Sequence, residues 1–323
     1  MPANLTPEYR AADAKFRAAK TIEERIAALD EMLATIPKHK GTEKMQADLK
    51  RRMARLRQEE KSHAGKHGFS LRIDPEGAAQ VALLGPPNAG KSSLLGSLTH
   101  ARPHIAEYPF TTTRPQPGMM PFEDVHVQLI DLPPITTEHM DPWLPDIIRS
   151  ADGAVLVADP TSTALPGDLE IVRERLSRAH VVLCHDLPQD ANPRESHLRT
   201  LLAITKADLA DADTVRLLGE LYAEFPQVQL DVETGRGIEE FKRALWQRLD
   251  LIRVYAKPPG KPVDREAPFV LERGATVMDL AEQIHRELSG RLQFARIWGG
   301  HSQGLRAARD FVLRDGDVVE LHF

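Results

Sequence analysis

The sequence predicts an α/β fold built on a mostly parallel sheet, and three observations predict it. Residues 79–84 form an apolar, strand-like run that leads into Gly85-Pro86-Pro87-Asn88-Ala89-Gly90-Lys91-Ser92 and then into a helix start. Further apolar runs at 125–130, 153–158, 201–204 and 228–230 are separated by segments long enough to be helices. Such alternation implies parallel strands with ligands at their carboxyl ends. Composition also shifts at both ends of this block, to a basic helical stretch before it and to short strands after it. The expected parts are therefore a helical region and linker at 1–76, the α/β domain at 77–250, and a small unit at 251–323.

The glycine-rich loop carries the chemistry. Between a strand and a helix, its backbone N–H groups can wrap a β-phosphate, and the positive end of the helix dipole faces the same anion. Gly85, Pro87, Asn88, Ala89, Gly90, Lys91, Ser92 and Ser93 are expected to line the nucleotide. Lys91 would reach the β- and γ-phosphates and the Ser92 hydroxyl would take a Mg²⁺ position, both from a solvent-facing loop. Asn88 has two readings. Its carbonyl oxygen is a suitable K⁺ ligand, as in GTPases that use K⁺ as an accelerating cation, and asparagine also tolerates a left-handed backbone.

The base is read further on. Residues 201–204 end in Thr205-Lys206-Ala207-Asp208, which resembles the [NT]-K-x-D motif of GTPases. Guanine offers two donors, N1–H and the 2-amino group, and the Asp208 carboxylate can accept both. Adenine offers neither, so such a site rejects it by about 10⁴-fold. The Lys206 stem would cover the base, and Thr205 would tether the loop.

Between these motifs a family resemblance emerges. The segment Tyr108-Pro109-Phe110-Thr111-Thr112, followed by Gly118, resembles the first switch of Obg and DRG GTPases. That resemblance implies nucleotide contacts from Phe110, Thr111 and Thr112, with Thr112 on Mg²⁺, and a Mg²⁺-supporting carboxylate at Asp131. It also implies that the loop Asp231-Val232-Glu233-Thr234-Gly235 faces guanine, with the Val232 N–H toward the guanine carbonyl. Asp231 stands where the family carries serine, which calls the usual support of that loop into question.

A second departure bears on mechanism. Asp131-Leu132-Pro133-Pro134 has proline where the family has a glycine whose N–H touches the γ-phosphate. Proline has no N–H. One charge-assisted hydrogen bond is worth about 1.5–3 kcal/mol, or roughly 10- to 150-fold in preference for GTP over GDP. Ile135 follows, where many GTPases place a water-orienting glutamine. Intrinsic hydrolysis is then expected at about 10⁻⁴ to 10⁻² per second.

Composition fits an enzyme of several parts in a reducing, cytoplasmic setting. The 323 residues are 41% hydrophobic and 28% charged, with a net charge of −5 and one cysteine. A single cysteine excludes an internal disulfide framework, and Cys184 reads as a small core residue. The start lacks a signal-peptide layout, and no apolar run is long enough to span a membrane.

The first part reads as amphipathic helices. Ile22, Ile26, Leu29, Leu33 and Ile36 form one stripe after the capping box at Thr21, and Met45, Leu49, Met53 and Leu56 form another. Residues 38–66 hold ten Lys and Arg against four acidic residues. In a chain that is acidic as a whole, this favours a polyanion such as RNA or the ribosome. The stretch is also similar to the N-terminal region of DRG-type proteins.

Residues 251–323 resemble the TGS domain that closes DRG proteins, with short strands around one helix capped by Thr276, a β-grasp unit. About 70 residues are marginal for a stable independent core, so docking on the α/β domain is expected. Altogether the chain resembles an Obg/DRG GTPase with a C-terminal TGS domain. What that implies is Mg²⁺-dependent GTP and GDP binding with slow hydrolysis, coupled to ribosome or RNA engagement. The alternative is a non-switching guanine-nucleotide-binding module.

Overall fold

A computed structural model describes residues 9, 12, 15, 16, 22–36, 49, 51–53, 73–99, 114–265, 267–285, 289–300 and 302–323. The chain divides into two compact units, Met1–Leu71 and Arg72–Phe323. In the first, helix α1 (Ile22–Thr35) buries Leu29 and Met32 with Ile36 just beyond its end. Tyr9, Ala12, Leu49 and Met53 complete this small core, with Leu33 packed against it. The predicted stripes are thus observed at Leu29, Leu33, Ile36, Leu49 and Met53. Thr21, Met45, Leu56 and the side chains of Ile22 and Ile26 lie outside the described residues, as does most of the basic stretch. Arg51 and Arg52 are described, and both are exposed.

The second unit holds two sheets. The first has seven strands: β1 (Gln80–Leu84), β2 (Gln116–Phe122), β3 (Val125–Asp131), β4 (Gly153–Ala158), β5 (Val181–Cys184), β6 (Ser196–Thr205) and β7 (Gln227–Leu230). Their order is β2-β3-β1-β4-β6, and β5 and β7 pair with β6. All pairs are parallel except the β2–β3 hairpin at one edge. Strand β6 is ten residues long and is shared end to end. Val181–Cys184 pair with its first half and Gln227–Leu230 with its second. Val181–Cys184 are therefore an integral strand of this sheet.

Helices α2 (Lys91–Leu98), α3 (Leu144–Ser150), α4 (Leu165–Arg178), α5 (Ala212–Leu221) and α6 (Ile238–Leu249) connect these strands. Strands β1 and β4 are buried at every position, as expected for strands covered on both faces. Leu94, Leu95 and Leu98 of α2 pack with Leu83, Val127 and Leu129, and α6 contributes Phe241, Leu245 and Trp246.

The second sheet follows a left-handed residue, Asp250, which closes α6. Strands β8 (Leu251–Ala256), β9 (Phe269–Glu272), β10 (Phe294–Gly299), β11 (Ser302–Ala307) and β12 (Asp317–His322) run in the order β11-β10-β12-β8-β9. Helix α7 (Val277–Ile284) lies against one face, burying Val277, Leu280 and Ala281 on Ile252, Val254, Ile297 and Val319. Thr276 and Asp279 form the expected capping box. This unit docks on the first sheet. Arg253 of β8 reaches Asp124 at 2.9 Å and also Glu123, both in the turn of the β2–β3 hairpin. Its guanidinium lies 5.6 Å from the Trp246 ring, which stacks on Phe122. Tyr255 donates its hydroxyl to Asp124. Burial works against the Asp124 charge, but hydrogen bonds from Tyr255 and Arg253 hold its carboxyl below the usual range.

Candidate functional site

The phosphate loop occupies the turn between β1 and α2. Gly85 sits at φ +151°, and a Cβ there would lie 2.6 Å from the Val157 carbonyl oxygen, so only glycine fits. Gly90 takes φ +92° at the start of α2, beside the Thr205 side chain. Asn88 is exposed in the left-handed region at φ +59°. That backbone satisfies the second of its two readings and leaves its side chain at the surface.

Lys91 differs from expectation. Its side chain is buried, 6% exposed, and its ammonium donates to the carbonyls of Gly85 and Pro86 at 3.0 and 2.9 Å. The lysine folds back over the loop because two carbonyl acceptors lie within reach of its stem. Burial pushes its pKa down to about 8, against the pull of Asp131. An anion in the loop would favour the charged form. Ser92 and Ser93 are half-buried and Ala89 is buried. The Ser92 hydroxyl donates to the Asp131 carboxylate at 2.5 Å. Strand β3 ends at Asp131 beside β1, and this register brings the two side chains together. A hydroxyl and a carboxylate are hard oxygen donors of the kind Mg²⁺ accepts, so the residues present fit that ion.

On the other side of the loop, Thr205 at the end of β6 is buried. Its hydroxyl lies 2.8 Å from the Ala89 carbonyl and 3.1 Å from that of Ala158. The tether from the base motif to the phosphate loop is thus present. Lys206 adopts φ +51° and its ammonium meets the Asp159 carboxylate at 2.6 Å. Asp159 also accepts from the Thr161 N–H and hydroxyl. Burial opposes its charge, yet the hydrogen bonds from Lys206 and Thr161 hold its pKa below the ordinary value.

Asp159 was missed from the sequence. Its signal is a carboxylate closing an apolar strand, the same position Asp131 holds on β3. Asp208 is exposed and lines a cavity of about 390 Å³ together with Ala207, Leu230, Asp231 and Arg236.

The Asp231 loop keeps its support by other means. The carboxylate accepts from the N–H groups of Glu233 at 2.9 Å and Thr234 at 3.3 Å, and from the Thr234 hydroxyl. Hydrogen bonding from Thr234 leads the forces that hold its pKa down. Aspartate therefore braces the loop internally at the position where the family carries serine. Val232 is half-buried against the main core.

Beyond Asp131 the chain turns apolar. Leu132, Pro133 and Ile135 are buried and Pro134 is half-buried. Ile135 is 1% exposed, a core side chain. Phe110, Thr111 and Thr112 lie outside the described residues. Cys184 is half-buried rather than a full core residue, and burial pushes its thiol pKa up.

Comparison with known proteins agrees with this geometry. Residues 80–186 match a family described as 50S ribosome-binding GTPase, and residues 252–322 match the TGS domain. An uncharacterized GTP-binding protein of Methanocaldococcus jannaschii is 27% identical, over 93% of this chain and 92% of its own. Developmentally-regulated G-protein 2 of Arabidopsis thaliana is 25% identical, over 93% of this chain and 91% of its own. The chain is similar to GTP-binding proteins of the DRG type along nearly its whole length. It carries a P-loop GTPase domain and a TGS domain on a mixed α/β framework. Among solved structures, the FeoB G-domain from Methanococcus jannaschii is similar over 53% of this GTPase and 97% of its own chain, at 22% identity and a TM-score of 0.38. Among the described residues, no helix is long and apolar enough to cross a membrane.

Proposed function

We propose that this protein is a slow, Mg²⁺-dependent GTPase of the cytoplasm whose nucleotide state governs its engagement with the ribosome or RNA. The observation that supports it most is the Thr205 hydroxyl on the Ala89 carbonyl, which ties the base motif to the phosphate loop. In this reading Gly85, Pro87, Asn88, Ala89, Gly90, Lys91, Ser92 and Ser93 hold the phosphates. Thr205, Lys206, Asp208 and Val232 hold guanine, and Phe110, Thr111 and Thr112 close over the γ-phosphate. The parts are 1–76, 77–250 and 251–323, with the basic first part and the TGS domain facing partners.

Ser92, Thr112 and Asp131 would hold Mg²⁺, and Asn88 would hold K⁺. When bound, Mg²⁺ neutralises charge that develops on the phosphate oxygens. The chain's own residues do the remaining work. Lys91 exchanges two carbonyl partners for phosphate oxygens, and Asp208 accepts from the two guanine donors. Lys206, aligned by Asp159, covers the base. Ile135 is packed in the core and presents no group to orient water, which supports slow turnover of about 10⁻⁴ to 10⁻² per second.

A second reading has its own observation. Pro133 and Pro134 carry no N–H, and with Ile135 they form a rigid apolar segment. A protein built this way could bind guanine nucleotide without switching. Single-turnover hydrolysis with and without Mg²⁺, in K⁺ and in Na⁺, tests the first reading. Ribosome co-sedimentation with GDP and with a non-hydrolysable GTP analogue separates the two. Equal sedimentation in both nucleotide states would reject the switch in favour of the static module.

A further inference from the structure

The TGS sheet has two faces, and only one is covered by its helix. On the other, residues of β8 dock on the hairpin at 123–124, while β10, β11 and the end of β12 lie further along. There Phe294 stands between two planar groups. The Arg306 guanidinium is centred 4.1 Å from its ring, and the His322 ring stacks on it at 4.4 Å and 12°. Because β11 and β12 flank β10 on opposite sides, Arg306, Phe294 and His322 form one ladder across three strands. Beside it, Lys257 lies 4.6 Å from the Trp298 ring.

The charges on this face are unevenly balanced. Glu320 is buried and is shared by Lys257 and His322. Arg296 and Arg306 are different. They are cross-strand partners in the β10–β11 register, and both are exposed. Neither makes an ion pair among the described residues. Like charges placed directly opposite each other destabilise a sheet, and Glu320, which faces Arg296 from β12, is engaged by Lys257 and His322 instead. Stacking on Phe294 fixes the plane of the Arg306 guanidinium, which is the geometry that receives a phosphate through two parallel N–H groups.

We propose that this face of the TGS domain binds single-stranded RNA, with Arg296 and Arg306 on successive phosphates and bases stacking on the open flank of the Arg306–Phe294–His322 ladder. It rests on the RNA-engagement reading above and assigns it a surface separate from the basic N-terminal stretch. A flat sheet face that interleaves guanidinium and ring planes suits an extended strand whose bases are free to stack. An acidic peptide would use the charges and leave the ladder idle.

The test uses the full chain and a fluorescent oligouridylate, titrated at several salt concentrations. Arg296→Gln with Arg306→Gln is expected to weaken binding at least tenfold. The log–log salt slope should fall by about 1.4, at about 0.7 for each lost contact with a single strand. GTP affinity should stay unchanged, which reports an intact fold. Arg296→Lys with Arg306→Lys keeps the charge and loses the planes, and should fall between wild type and the glutamine pair. Wild-type affinity in the lysine pair would overturn the stacking ladder. If the glutamine pair binds like wild type while replacement of Lys50, Arg51, Arg52 and Arg55 by Gln removes binding, this surface is wrong and the RNA reading stands. Wild-type protein that binds polyglutamate but not oligouridylate would overturn both.

Discussion

The two ends of the nucleotide site are built from different materials. At the base end, polar side chains are held by hydrogen bonds: Thr205 to the Ala89 carbonyl, Lys206 to Asp159, and Asp231 to its own loop through Thr234. At the γ-phosphate end, the segment after Asp131 is apolar, with Leu132 and Ile135 in the core and two prolines between them. Selecting guanine needs acceptors held in place. Sensing a γ-phosphate needs a donor that is free to move. In the proposed reading the loops around the base are braced for the first task, whereas the other end lacks the usual donor for the second. On that reading recognition and switching are separable, and substitutions test the separation.

The largest effect belongs to the base end. Asp208→Asn should weaken GTP and GDP binding together by about 10²- to 10⁴-fold, because the carboxamide sets a donor against a guanine donor. Unchanged affinity by calorimetry would remove the base assignment and with it one side of the comparison. Lys91→Ala or Ser92→Ala should cut Mg²⁺-dependent hydrolysis by about 10²- to 10³-fold, while circular dichroism stays that of the wild type. Wild-type turnover in either variant would dismiss the phosphate loop as the reactive element.

At the γ-phosphate end, Ile135→Gln sharpens the contrast. Placing a carboxamide in a core position should cost about 2–4 kcal/mol in urea unfolding, and hydrolysis should not quicken. A tenfold faster rate at unchanged stability would show that this position faces the nucleotide after all. Pro134→Gly restores a backbone donor and should raise the GTP-over-GDP preference by about 10- to 150-fold at most. An equal loss of both affinities would instead point to added loop entropy. The smallest effect is expected from Asp231→Ala, which removes the loop's brace. Both nucleotides should bind roughly fivefold more weakly, about 1 kcal/mol, with their ratio unchanged. A shift in that ratio would link the two ends.

Much of this was legible in the residues themselves. The phosphate loop, the Thr205–Asp208 motif and Asp131 all sit at strand ends, where periodicity and local chemistry coincide. Asp159 escaped because its local signal, a carboxylate closing an apolar strand, does not name its partner. Its partner Lys206 is 47 residues away and meets it because β4 and β6 are neighbours in the sheet. The burial of Lys91 escaped for a related reason. A lysine in a glycine-rich loop reads as exposed, and only the folded loop brings the Gly85 and Pro86 carbonyls to its ammonium.

Local sequence by itself determined the alternation of strands and helices, the glycines the phosphate loop requires, and the Asp208 carboxylate proposed to accept from guanine. These depend on short-range sterics and on the donor and acceptor identity of single residues. Tertiary structure alone decided which charges became paired. It set Arg253 between the hairpin carboxylates and Asp315, Lys206 on Asp159, and Arg296 between Arg306 and a Glu320 that pairs with Lys257. A charge acts through its distance to other charges, and strand order sets that distance between residues far apart along the chain.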